Sequence, residues 1–123
     1  MRVVHDDGSG PVTVAEDVSV ARTLLQRMRG LMFRPALADG EAMVFRFDGV
    51  GVRRLHAMFV SGAFDAVWVR DGTVTNVARL RPWVGYGSGV ADLVVELPSG
   101  TATPIAVGDR VAVRADEVGT PTG

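Results

Sequence analysis

FDAVWVRDGTVTNVARL, residues 64–80, decides what kind of chain this is. Two runs rich in β-branched and aromatic residues, Phe64 to Arg70 and Thr73 to Leu80, flank Asp71-Gly72. An Asp-Gly pair tolerates positive φ at both central positions, which matches the tight turn that suits the twist of two antiparallel strands. The reading is therefore a β-hairpin. Both faces of Phe64 to Val69 are apolar, so its first strand is expected to be covered on two sides.

The same signals extend outward. Arg2 to Asp6 and Pro11 to Ala15 read as short strands about the turn Asp7-Gly8-Ser9-Gly10. Met43, Phe45 and Phe47 alternate with Ala42, Val44 and Arg46, and Asp48-Gly49 is expected to turn the chain. Leu55 to Val60 reads as an apolar strand containing His56, and His5 as strand surface. Pro82 to Gly89, with three glycines, reads as a loop. Leu93, Val95 and Leu97 point one way from the next strand, and Asp92, Val94 and Glu96 the other. Arg110 to Arg114 is the last strand, entered through Val107-Gly108-Asp109.

One segment carries the helical period. Val20, Leu24, Met28 and Leu31 recur on one side, opposite Arg22, Gln26 and Arg29, with Asp17 or Ser19 as N-cap and Gly30 as C-cap. Pro35 blocks its continuation. Eight strands and one amphipathic helix predict a mainly β (α+β) fold, a compact barrel-like antiparallel or mixed sheet with the helix packed against it. With 123 residues and no linker or repeat, one globular domain over residues 1–114 is expected, with a frayed tail over 115–123.

Composition excludes several kinds of chemistry. The chain has no Cys, which rules out disulfides, thiolate catalysis and Cys-ligated metals. Its two histidines, His5 and His56, do not form a metal motif, so no metal and no cofactor is expected. All thirteen basic residues are Arg, yet the net charge is −1, which gives no general attraction to nucleic acid or anionic membrane. No apolar run approaches the length of a membrane span, and the first ten residues lack a signal-peptide core. A soluble, cytoplasmic protein of unknown oligomeric state follows as the expectation.

A family likeness rests on several segments together. Ala21 to Arg34, ending in Gly30-Leu31-Met32-Phe33-Arg34, resembles the start of the domain-of-unknown-function 192 family, also called uncharacterised protein family 0127. Met43-Val44-Phe45 is similar to its Met-x-Phe strand. Leu55-His56-Ala57-Met58-Phe59-Val60, with Asp65 following, is similar to its Ile-His-x-x-Phe and Asp-bearing strand. Leu93 to Gly100 resembles its Val-Leu-Glu-Leu-x-x-Gly segment, and Gly108-Asp109 its closing Gly-Asp. Ala63 stands where the family usually has proline, Gly62 where it has a bulkier apolar residue, and Glu41-Ala42 where Gly is more common. The resemblance spans about Thr13 to Val113. It implies a compact, mainly β fold with a packed helix, and it implies no activity.

Six polar or aromatic residues are candidates for a binding site: Arg34, His56, Asp65, Arg81, Trp83 and Glu96. Arg34, Asp65 and Glu96 invite one explanation, a carboxylate–guanidinium cluster that either fixes strand register or binds an anion. His56 reads as a hydrogen-bonded core residue or as a general base oriented by Asp65 or Glu96. Trp83 and Tyr86, beside Arg79 and Arg81, either form a recognition loop or send the indole down to plug one end of the barrel. Ser61 lies near His56 and Asp65 but without a nucleophile elbow. A module binding a small polar or anionic ligand, or a partner, is the leading expectation. A hydrolase-type enzyme using His56 with Asp65 or Glu96 is the alternative.

Overall fold

The computed structural model describes residues 1–21, 36–57, 60 and 62–115. They contain eight strands: β1 Arg2–Asp6, β2 Pro11–Ala15, β3 Asp17–Val20, β4 Glu41–His56, β5 Phe64–Arg70, β6 Thr73–Leu80, β7 Tyr86–Pro98 and β8 Arg110–Arg114. All belong to one mixed sheet in the order β2-β1-β8-β6-β5-β7-β4-β3. The hairpin of residues 64–80 sits at its centre, with φ of 48° at Asp71 and 83° at Gly72, as a two-residue turn of this hand requires.

The chain leaves β2, one edge of the sheet, and enters β3, the other edge, across Glu16 alone. The sheet must therefore curl until its edges approach one another. It does not close into a barrel, contrary to the sequence expectation. A single linking residue is too short for a hairpin turn, so β2 and β3 run on from each other rather than pairing. Instead β2 pairs with β1, and β3 runs parallel to β4. A parallel pair needs a long crossover, and the chain between β3 and β4 supplies one.

The helix expectation is corrected at its start. Asp17 and Ser19, read as N-caps, lie in β3, where Val18 and Val20 alternate at the strand period. Residues 22–35, the rest of that reading with Gly30 and Arg34, lie outside the described residues, as do 116–123. No helix forms among the described residues, so none there is long and apolar enough to cross a membrane.

Strand alternation sorts the apolar side chains into two cores. Val3, Val44, Val67, Val69, Val74, Val95, Leu97 and Val111 fill the first, and Met43, Phe45, Phe64, Ala66, Trp68, Leu80 and Val94 the second. Phe64 to Val69 is buried throughout because β5 contributes to both. Two further expectations change. Asp48-Gly49 does not end a strand, because β4 runs on to His56 through a bulge between Arg46 and Gly51. Tyr86 to Gly89 is no loop either: these residues open β7 and pair with β4.

Candidate functional site

Asp65 begins on the first-core face of β5, directly opposite Arg79 on β6 and Leu97 on β7. Its Oδ1 accepts a hydrogen bond from Arg79 Nε at 3.0 Å, and its Oδ2 accepts from the backbone N–H groups of Gly100 and Ala102, each at 2.9 Å. The buried carboxylate thus ties the turn after β7 to the central hairpin. Arg79 remains half in solvent and reaches Thr103 Oγ1 at 3.4 Å.

Glu96 is aligned with Met43 on β4 and Ala66 on β5, so it faces the second core. Its Oε2 has no hydrogen-bond partner among the described residues. Burial pushes its carboxyl up from 4.5 to about 8, which leaves the side chain mainly neutral at pH 7. Asp65 and Glu96 therefore occupy opposite faces of the sheet. The two carboxylates, expected to share one arginine, are not brought together. Arg34 lies outside the described residues.

The remaining candidates gather at one end of the paired strands β4 and β7. His56 closes β4 opposite Tyr86, Arg54 sits opposite Ser88, and Val52 opposite Val90, all on one face. His56 is exposed there rather than set in the core. The loop between β6 and β7 is pinned beside it: Trp83 N–H donates to Ala57 O at 2.8 Å, Ala57 N–H to Gly85 O at 2.8 Å, and Gly85 N–H to Arg81 O at 2.9 Å. A Cβ on Gly85 would lie 2.6 Å from the Arg81 backbone, so this tight return requires glycine.

Trp83 adopts φ of 70°, a conformation that costs a non-glycine residue of order 1–3 kcal/mol. The residue is 58% exposed and does not plug the sheet, and Tyr86, three residues on, is 63% exposed. The plug is Trp68 instead, fully buried, with its Nε1–H donating to Arg53 O at 2.8 Å. Gly87 and Gly89 lie flat against that indole, where a Cβ would come within 2.7 and 2.6 Å of it. Gly87 and Gly89 carried this information, because a close aromatic neighbour is one reason a strand keeps glycine.

His5, read as strand surface, is buried and shares a 2.7 Å hydrogen bond with Asp109 Oδ2. That bond, followed by one from Ala106 N–H, holds the Asp109 carboxyl below its ordinary value. The pair fastens β1 to the turn before β8.

An open, curled eight-stranded mixed sheet with two buried acids on opposite faces is the class that fold and site define. The chain belongs to the DUF192 family, described as Uncharacterized ACR, whose model matches residues 3–113. A crystal structure of a protein of unknown function from Novosphingobium aromaticivorans is similar at 26% identity, with a TM-score of 0.79, over 92% of this chain and 84% of that one. A candidate transcription regulator from Sinorhizobium meliloti shares the fold at 24% identity, with a TM-score of 0.76, over 90% and 91% of the two chains. No curated protein matches.

Proposed function

We propose that the chain is a binding module that takes a small anionic ligand at the Trp83 end of the β4–β7 ribbon. The observation that carries this reading is Trp83 itself, held exposed at φ of 70° by fixed backbone hydrogen bonds. Strain of this kind persists only where surrounding bonds impose it, and it concentrates at ligand sites. Tyr86 adds a second exposed aromatic surface, while Arg54, Arg81 and His56 supply cationic or hydrogen-bonding groups around it. A ring-bearing anion is the natural guest, stacked on Trp83 and paired with arginine.

The hydrolase-type alternative asks His56 to work with Asp65 or Glu96. Asp65 has both oxygens engaged by Arg79, Gly100 and Ala102, and Glu96 is buried and mainly neutral at pH 7. Those arrangements favour binding over proton transfer.

Phenyl phosphate, an aryl ring joined to an anion, is a suitable probe. Saturable quenching of tryptophan fluorescence is expected, since Trp83 is exposed and Trp68 is shielded. The quench is expected to disappear in Trp83→Leu, and the affinity to fall about tenfold in Arg81→Ala, a loss of about 1.4 kcal/mol. No saturable response, or one that survives Trp83→Leu unchanged, would overturn the reading.

A further inference from the structure

At the opposite end of β6 from Trp83, beside the Asp71-Gly72 turn, a concavity opens. It is a cleft of about 480 Å³ lined by Arg46, Phe47 and Asp48 of β4, Gly72, Asp92 and Leu93 of β7, and Val111 to Val113 of β8. Its volume lies in the range of small-ligand sites.

A break in the β4–β7 ladder forms one wall. Arg46 pairs with Leu93 and Gly51 with Ala91, so the four residues Phe47 to Val50 stand opposite Asp92 alone. Extra residues of this kind bend a strand and re-aim its side chains. The bulge is braced from within: Arg53 donates from Nη2 to Gly49 O at 2.7 Å and from Nε to Ala91 O at 3.2 Å, and its guanidinium lies 3.9 Å from the Phe47 ring centroid. Arg46 and Asp48 thus project from a wall held in shape by another arginine. Neither makes an ion pair or a side-chain hydrogen bond among the described residues.

The opposite wall is a strand edge left unpaired among the described residues. Val111 donates its N–H to Gly72 O at 3.0 Å, away from β1. Two residues on, Val113 directs its N–H and C=O to that same side, because backbone groups alternate along an antiparallel strand. Among the described residues β6 pairs with β8 only through Thr73 and Arg110, and no other strand neighbours the Val113 position on that side. A donor and an acceptor at strand spacing, with an apolar floor of Leu93, Val111 and Val113, suit another extended backbone.

We propose that this cleft binds a short unblocked peptide in extended conformation, which adds to the free edge of β8 at Val113. The peptide's C-terminal carboxylate is paired with Arg46, and its N-terminal ammonium with Asp48 and Asp92. Asp92 keeps its hydrogen bond to Asp71 N–H at 3.2 Å through Oδ1, which leaves Oδ2 for the ligand.

The test is a titration of the ¹⁵N-labelled full chain with trivaline, followed by amide chemical shifts. Saturable shifts confined to Arg46–Asp48, Gly72, Asp92 and Val111–Val113 are expected. Arg46→Gln is expected to weaken binding at least tenfold while leaving the spectrum of the free protein otherwise intact. Trivaline blocked by acetyl and amide groups should bind at least tenfold more weakly, and so should trivaline N-methylated at its central residue. Absence of saturable shifts, shifts confined to residues 81–86, or binding of either the blocked or the methylated peptide as tight as that of unmodified trivaline would each overturn the proposal. Should Arg46→Gln disturb the fold, the two modified peptides decide on the unaltered chain.

Discussion

At Glu96, burial between Met43 and Ala66 holds a proton that the unfolded chain would release. Between pH 4.5 and about 8 the folded state therefore binds more protons than the unfolded state, so stability falls as pH rises through that window and levels off above it. Glu96→Gln keeps the shape and removes the ionisation. Urea midpoints measured against pH are expected to lose this slope in the variant, which becomes the more stable protein above pH 8; an unchanged slope would assign it elsewhere. Asp65 behaves differently, because its partners are specific donors. Asp65→Ala strands the buried N–H of Ala102 and the part-buried N–H of Gly100 and is expected to cost about 3 kcal/mol. Arg79→Ala leaves those two bonds in place and removes a guanidinium that is half exposed, for a loss of about 1 kcal/mol. Chemical denaturation of the two variants checks the order, and equal losses would contradict it. The sequence marked both acids as unusual through their apolar company. It did not reveal that they face opposite ways, since that depends on the register of β5 against β7.

On the scale of elements, the β4–β7 ribbon lies over the Trp68 indole, and two glycines permit the contact. Gly87→Ala and Gly89→Ala push a methyl group into the ring of a fully buried tryptophan. Each is expected to destabilise by about 1–3 kcal/mol, and a change well below that in thermal or urea unfolding would show that the indole can shift. Arg53 braces the bulge through two backbone carbonyls, so Arg53→Met should speed hydrogen exchange across residues 47–50 while leaving β5 protected. The central hairpin was legible because its turn chemistry and its apolar alternation are local. The bulge was misread as a turn for an equally local reason: Asp48-Gly49 has turn residues, but only the pairing of Gly51 with Ala91 shows that the strand continues.

Across the whole molecule, β1 is the piece on which distant parts depend. It pairs with β2 on one side and with β8 on the other, and the rung Arg2↔Arg114 joins nearly opposite ends of the described chain. Deleting residues 1–6 would deprive β2 of its ladder, leave β8 only its Thr73↔Arg110 rung with β6, and remove His5 from Asp109. Loss of cooperative unfolding is the expected result, seen by circular dichroism on heating; a sharp transition near the parent's would contradict it. Pairings of such sequence separation also predict folding on the millisecond-to-second scale, measurable by stopped-flow fluorescence of the buried Trp68.

The sequence by itself determined the strand-rich character, the central hairpin, the limits of β1, β2 and β8 and the family likeness. Each of these is encoded in turn residues, in the two-residue period or in short motifs that neighbouring positions specify. Only the tertiary structure decided that the sheet stays open, that Asp65 and Glu96 part company, and that Trp68 rather than Trp83 is buried. Those outcomes depend on which strands pair and in what register, and a one-residue change of register would turn every side chain to the other face.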